Sequence, residues 1–506
     1  MNRTIKTALI SVFHKDGLAP IVNKLNDLGV EILSTGGTLK FIQELGVNAK
    51  AVDELTGFPE ILDGRVKTLH PTIFGGILAR RDNSTDLSQL DSHKIPTIDL
   101  VIVDLYPFED TVKQTSDVST IIEKIDIGGI SLIRATAKNY HDTLIVSARE
   151  QYAEVLDLLN SQSGESTLDQ RKRFAAKAFQ VSSHYDTQIF NYFNTETDLP
   201  GFKKSFNNIK ELRYGENPHQ TGFFYGNLEE VFDTLHGRDL SYNNLVDVEA
   251  SIHVVAEFSQ PTFAIIKHTN TCGLASSDTI KVAYEKALAC DPTSAFGGVL
   301  AANKKIDKAT AEEMNKLFFE VVTAPDFEDN ALEVLKQKKN RIILKLKQDL
   351  HPKKMFKSML NGVLEQDVDQ VSEISSDFKI VTEREASLSQ LNDLEFAIKA
   401  VKHLKSNGIA LVKNQQLIGM GCGQTSRVDA LESAIKKSKN FGFDLAGAVM
   451  ASEAFFPFPD CVAIGADAGI EAISQPGGSI KDQDSIDEAN KRGIAMVFTG
   501  IRHFKH

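Results

Sequence analysis

Apolar and polar positions follow two rhythms along the first 150 residues. TALISVF (7–13) is a mostly apolar run that reads as a strand, and DGLAPIVNKLNDLG (16–29) repeats its apolar residues at helical spacing. VEILS predicts a second strand, followed by a glycine-rich turn and a helix from about Thr38 to Leu45. IDLVIVDLYPF (98–108) is a further buried strand, SLIRATAKN a helix and DTLIVSA another strand. Strands alternating with helices predict an α/β fold built on a doubly wound parallel sheet, in which ligands bind at the carboxyl ends of the strands. Residues from about 150 to 195 read as helices, and the turn-rich NTETDLPGFKKSFNN predicts a boundary near residue 200.

The second half repeats itself. FAIIKHTNTCGLASS (263–277) is echoed by IALVKNQQLIGMGCGQTSR (409–427): an apolar strand, a lysine with a polar partner, then a Cys-Gly turn. Lys413 follows Lys267 by 413 − 267 = 146 residues, so Lys413-Asn414 occupies the place of Lys267-His268. Each copy is followed by a helical pattern and a small-residue stretch, SAFGGVLAAN and LAGAVMASEA. Two related αβ subdomains packed face to face would bring both pairs to a shared cleft; chance likeness of two strand-turn segments is the alternative. The lysine- and glutamate-rich residues 305 to 350 read as solvated helices.

The chain's 506 residues exceed one small core, and its formal charge of −12 argues against a broad nucleic-acid-binding surface. An anionic small molecule is not excluded, because a site needs only local positive charge and aimed N–H groups. No apolar run reaches the ~18–20 residues of a membrane span, and the N-terminus does not read as a signal peptide. Four cysteines without a CxxC pair signal neither a disulfide framework nor zinc. The expectation is an acidic, cytoplasmic enzyme.

Several stretches carry more chemistry than a turn requires. STGGT (34–38) follows a strand and opens a helix, where backbone N–H groups, hydroxyls and the helix dipole suit a phosphate; a plain capped turn is the simpler account. GRVKTLHP (64–71) gathers Arg65, Lys67, Thr68 and His70 in one loop. In KIDIGGISLIRATAKN, Asp126 precedes two glycines at a helix start and Lys138 closes the helix; cap and dipole roles explain both equally well. Tyr106 leaves the strand at the end where sites lie. LRYGENPHQ (212–220) crowds Arg213, Tyr214, Asn217 and His219 around a turn, and ASEAFFPFPD (451–460) reads as a rigid loop with an aromatic wall, Phe455 included, ahead of Asp460. FAIIKHTNTCG alone reads as an ordinary strand exit.

Taken in order, STGGT, GRVKTLHP, LYPF, IDIGG with AKN, LRYGENPHQ, IKHTN, VKN, FFPF-x-D and the terminal histidine resemble one family along the whole chain: the bifunctional purine-biosynthesis enzymes with AICAR transformylase and IMP cyclohydrolase activities. The resemblance implies a methylglyoxal-synthase-like cyclohydrolase domain over 1–200, including its helical extension. Over 201–506 it implies a transformylase domain of two cytidine-deaminase-like subdomains, lacking the H-x-E and P-C-x-x-C zinc motifs and working without a catalytic metal. It further implies a homodimer with transformylase sites between subunits, and the substrates AICAR, formyl-AICAR and 10-formyltetrahydrofolate.

By the same resemblance, His268 assists proton removal from the AICAR amine, and Lys267 stabilises the formyl oxygen or protonates the departing folate nitrogen. Asn414 and Asp460 position the formyl group and folate, and His506 helps close the site. Arg213 and Tyr214 hold the nucleotide, with His219, Asn244 and Phe455 among the substrate contacts. Lys67, Tyr106, Asp126 and Lys138 form the cyclohydrolase set, with Ser11, Lys15, Thr35, Gly36, Gly37, Thr38, Arg65 and Thr68 on the nucleotide.

Four positions depart from common family patterns. Phe13 replaces a serine that contacts phosphate, and Asp104 replaces an asparagine, where an acid weakens anion binding unless it points away. Thr271 replaces a proline and Glu453 an aspartate. The rival readings are a regulatory protein that binds a phosphorylated metabolite without turnover, a zinc deaminase and a nucleic-acid module. The retained Lys267-His268, Asn414 and Asp460 speak against the first, the missing zinc ligands against the second and the charge against the third.

Overall fold

The computed structural model describes residues 2–62, 66–347 and 352–506. The chain divides into two compact units, Met1–Asn207 and Asn208–His506. In the first, five parallel strands form the main sheet: β1 (Thr7–Ser11), β2 (Glu31–Ser34), β3 (Lys50–Ala51), β4 (Leu100–Val103) and β5 (Leu144–Val146), in the order β3-β2-β1-β4-β5. Ala8 to Ile10, Leu100 to Ile102 and Leu144 to Val146 are fully buried, which explains their unbroken apolar runs. The strand order reverses between β1 and β4, so a crevice opens beyond Ser11 and Val103. The helix after β2 spans Gly36–Glu44, two residues ahead of the expectation, because Thr35 is its extended N-cap and the glycines form its first turn.

A long helix, Leu168–Thr197, closes the unit; its start is fixed by a capping box in which Thr167 and Gln170 satisfy each other's backbone N–H groups. The Tyr185 hydroxyl on this helix accepts the Asp126 N–H at 2.9 Å and donates to the Lys124 carbonyl at 2.6 Å, so the helix buttresses the loop that carries Asp126.

The second unit is organised on one sheet of twelve strands. Its first half is β6 (Phe232–His236), β7 (Thr262–Lys267), β8 (Asn270–Ser276), β9 (Val299–Ala302), β10 (Val321–Ala324) and β11 (Ile342–Leu346). Its second half is β12 (Lys379–Ile380), β13 (Ile409–Lys413), β14 (Gln416–Gly421), β15 (Ala448–Ser452), β16 (Ile470–Gln475) and β17 (Ala495–Phe498). The order β6-β11-β10-β9-β7-β8-β14-β13-β15-β16-β17-β12 is the same six-strand pattern written twice, in mirror sequence about the β8–β14 seam. The repeat extends to the packing. A Cβ on Gly273 would meet the Ala287 carbonyl at 2.2 Å and one on Gly419, 146 residues on, the Ala434 carbonyl at 2.5 Å. In both halves, glycine lets a helix rest directly on the hairpin.

Two expectations are corrected. The halves lie side by side in one continuous sheet rather than face to face, joined where β8 pairs antiparallel with β14. Residues 305–350 are not only solvated helices: between Lys308–Met314 and Asp329–Leu335 run the buried strand β10 and, beyond them, β11. Strands of four and five residues flanked by charge leave too short an apolar run to stand out from a lysine-rich background.

Candidate active sites

Beyond the carboxyl ends of β1, β2 and β4 lies a cavity of about 640 Å³ lined by Ser11, Lys15, Thr35, Gly37, Thr38, Lys67, Thr68, Tyr106 and Asp126 among others. The Ser11 and Thr35 hydroxyls stand 3.0 Å apart, and Thr38 ties the floor by accepting the Val12 N–H and donating to the Val12 carbonyl. A Cβ on Gly36 would come 3.6 Å from the Lys67 ammonium and one on Gly37 3.9 Å from that of Lys15, so both lysines reach over the helix N-terminus. Two ammonium groups, two hydroxyls and the positive end of a helix suit a phosphate dianion. Arg65 lies outside the described residues. His70 is turned to structure: its Nδ1 accepts the Thr72 N–H at the start of the helix Pro71–Leu78.

At the other end of the cavity, Asp126 accepts the Gly129 N–H at 2.6 Å. Burial raises its pKa above the usual carboxylate value, and Asp104 adds to the shift, while backbone N–H groups of Gly129, Ile130 and Tyr106 oppose it. A half-buried carboxylate with a raised pKa in a cavity also lined by Tyr106 and Lys67 is the raw material of a proton-transfer site. Lys67 reaches the Glu60 carboxylate at 3.2 Å. Lys138 does not join this group. It is exposed at the last turn of the helix Gly128–Lys138, and ten residues at a rise of 1.5 Å set it about 15 Å from the helix start that borders the cavity.

The departures at 13 and 104 have physical accounts. The Asp104 carboxylate accepts the N–H groups of Phe13 and His14 and contacts the His14 ring at 3.2 Å, which holds it against the chain leaving β1 while it still borders the cavity and acts on Asp126. Phe13 packs edge-on to Tyr106, ring centroids 5.5 Å apart, with the Lys124 ammonium 5.7 Å from one ring and 5.5 Å from the other. Lys124 also lines the cavity, and sequence reading passed over it.

In the second unit the β7–β8 connection is a two-residue hairpin turn. His268 and Thr269 both take positive φ, 52° and 63°, as do Asn414 and Gln415, 55° and 53°, in the matching β13–β14 turn. Such turns favour asparagine and glycine; a β-branched threonine there costs about 1–2 kcal/mol and persists because its surroundings impose it. Asp247 imposes it by accepting the Thr269 N–H at 2.7 Å, and Asp393 accepts the N–H groups of Asn414 and Gln415 at 2.8 and 2.7 Å. The two aspartates are 393 − 247 = 146 residues apart, so the repeat offset was the signal that could have revealed them. Lys267 donates to the carbonyls of Phe296 and Gly297 at 2.9 and 3.1 Å, leaving His268 exposed beside it on the turn.

The register decides which candidates share an end of the sheet. Ala275 on β8 pairs with Gln416 on β14, so the Asn414 turn lies by the last residues of β8 and the His268 turn by its first. Seven residues at ~3.3 Å put the two turns about 23 Å apart. The strand directions send Phe455, Asp460 and the tail ending at His506 to the same sheet end as Lys267-His268, since Ile409 pairs with Ser452 and the Cys422 thiol after β14 lies 3.3 Å from the Asn270 side chain. Phe456 is fully buried, whereas Phe455 and Phe458 face outward. Arg213 stacks on Tyr214 at 5.5 Å, and the Asn243 amide donates to the Glu216 carbonyl, one helical turn from Asp247. His219 is exposed on the same loop.

Asn244 is buried and already engaged, its oxygen in a capping box with Ser241 and its amide 3.0 Å from Glu320. Thr271 is buried opposite Ile266, and Glu453 pairs with buried Arg427. The shared cleft expected for Lys267-His268 and Lys413-Asn414 is therefore absent within one chain. Among the described residues no group of three or more histidine, cysteine or acidic side chains is arranged to hold a metal ion.

Comparison with known proteins agrees along the chain. The family described as the AICARFT/IMPCHase bienzyme matches residues 136–437, and the MGS-like domain matches residues 17–131. The bifunctional purine biosynthesis protein PurH of Bacteroides thetaiotaomicron is 58% identical over 505 residues, covering 100% of this chain and 99% of that protein. The proteins of the same name from Acetivibrio thermocellus and Aquifex aeolicus are 48% and 46% identical, each aligned over 99% of this chain and 100% of its own length.

Proposed function

The chain belongs to the AICARFT/IMPCHase bienzyme family, and from that membership we propose which side chains carry its two reactions. It is a formyltransferase and a cyclohydrolase of purine biosynthesis. The observation that carries the division is that proton-handling groups fall into two sets, Lys67, Tyr106 and Asp126 in the first unit and Lys267 and His268 in the second.

In the second unit the AICAR amine attacks the formyl carbon of 10-formyltetrahydrofolate. That amine is conjugated to an imidazole bearing a carboxamide and is a poor nucleophile, so His268 takes its proton as the bond forms. Lys267 stabilises the oxyanion and the departing folate nitrogen regains a proton. Arg213 and Tyr214 grip the nucleotide, and Asp460, Phe455 and His506 border the folate. Asn414, about 23 Å away in its own chain, joins from a second copy, which makes the working enzyme a homodimer with shared sites.

In the first unit the phosphate of formyl-AICAR rests on Ser11, Lys15, Thr35, Gly36, Gly37 and Thr38. The carboxamide nitrogen attacks the formyl carbon, and the former formyl oxygen leaves as water with one proton from each flanking nitrogen. Asp126 in its carboxylate form takes the first proton, and Lys67 and Tyr106 escort the oxygen. Closing a six-membered ring from a preoriented chain calls mainly for positioning. A Cβ on Gly129 would fall 2.8 Å from the Asp126 carboxylate, so Gly129→Ala is expected to slow ring closure at least about tenfold while formyl transfer continues.

An acidic chain in which no described helix is long and apolar enough to cross a membrane suits the cytoplasm. The test follows folate product and IMP separately in purified protein given AICAR and 10-formyltetrahydrofolate. His268→Ala should lose formyl transfer yet close the ring of supplied formyl-AICAR, and Lys67→Ala should do the reverse. One substitution that stops both reactions in a folded dimer refutes the division.

A further inference from the structure

His503 has no part in the chemistry above, yet it is 3% exposed at the base of a tail without regular secondary structure. Its Nδ1 lies 2.6 Å from the Asp369 carboxylate and its Nε2 3.0 Å from that of Glu373, while its backbone N–H donates to the Glu453 carbonyl at 2.9 Å. Three segments meet on this residue: the tail that ends at His506, the stretch 369–373, and the loop from Glu453 that leads to Asp460. Burial works against charge on the ring, but the bonds to Glu373 and Asp369 outweigh it and raise the His503 pKa above its ordinary value. Nearby charges are committed elsewhere, the Glu453 carboxylate to Arg427 and the Lys505 ammonium to the His403 carbonyl at 3.4 Å.

We propose that His503 is a positioning residue for formyl transfer: clamped between Asp369 and Glu373, it fixes the tail bearing His506 against the loop bearing Asp460. The proposal rests on the roles given above to His506 and Asp460. A segment without regular secondary structure is loosely held unless tied down. Lys505 ties the tail to a different segment, through a pair of bonds with Ser406 at 2.9 and 3.2 Å and its ammonium on the His403 carbonyl, and does not join the tail to the loop that leads to Asp460. A misplacement of about 1 Å at a reacting centre costs up to ~10²-fold in rate, so a buried clamp three residues from His506 has leverage on turnover.

The test compares His503→Gln, His506→Ala, the double variant and Asp369→Asn in the full-length protein, with ring closure as the internal control. His503→Gln is expected to lower kcat for formyl transfer about tenfold and to hold KM for AICAR within about twofold, because Arg213 and Tyr214 grip the nucleotide elsewhere. The double variant should be no slower than His506→Ala alone, since both changes act through one element. Asp369→Asn leaves Glu373 and Glu453 in place, keeps the fold intact, and should give an intermediate loss. Wild-type kcat in His503→Gln, additive losses in the double variant, or an equal fall in ring closure would overturn the proposal. If His506→Ala itself transfers formyl groups at the wild-type rate, the role given to His506 fails first and takes the clamp with it.

Discussion

A Lys267→Ala subunit mixed with an Asn414→Ala subunit is expected to regain formyl transfer that neither variant performs alone. The reason is the register of the central hairpins. Ala275 faces Gln416, which sets the His268 and Asn414 turns at opposite ends of the sheet, about 23 Å apart. A site needing both must draw them from two chains. In the mixed dimer one site then carries both substitutions and the other carries neither. After random exchange of equal amounts, half the dimers are mixed and each has one intact site, so activity should return to about one quarter of wild type. Sites built within single chains would each keep one lesion, and the mixture would stay inactive; that outcome removes the shared-site reading. Co-purification of an untagged variant with an affinity-tagged one verifies that subunits have exchanged.

The second large effect is expected at Asp126. Asp126→Asn keeps the shape and can still accept the Gly129 N–H, but it cannot take a proton, so ring closure should fall by about 10²–10⁴-fold with formyl transfer unchanged. Wild-type ring closure carries a matching pH signature. Burial raises the Asp126 pKa, so the carboxylate is lost as pH falls through a value above the ordinary one, and the acid limb of the kcat profile should lie above the usual carboxylate range. Asn at 126 should abolish that limb. A profile whose acid limb persists in the variant would assign the base to another group.

The residues that lie close in sequence were the ones sequence reasoning could read. STGGT predicted a backbone N–H cradle, and Ser11, Lys15, Thr35, Thr38, Lys67, Thr68, Tyr106 and Asp126 all line one cavity. The 146-residue repeat predicted a doubled half-unit, and twelve strands in one symmetric order bear it out. Sequence is silent where a side chain's partner is remote. Whether Asp104 faces a bound anion depends on its orientation, and its bonds to the Phe13 and His14 amides, about ninety residues away, are set by the fold. The resemblance places Asn244 among the substrate contacts, and the structure adds its bonds to Ser241 and to Glu320, the second of which no local pattern announces. Lys138 joined the cyclohydrolase set through the family resemblance alone, and the structure sets it at the far end of the helix Gly128–Lys138 from Asp126.

By itself, the order of apolar runs, glycines and charged turns determined the α/β class, because strand and helix patterns depend on spacing within a few tens of residues, and the ordered set of motifs along the whole chain determined the family. Only the tertiary structure decided that the two halves share one sheet, which ends of it Lys267 and Asn414 occupy, and that His503 joins three distant segments. Those outcomes hang on strand register and on pairings across more than a hundred residues. A period-two pattern fits many such registers equally well, and packing of the assembled core selects one.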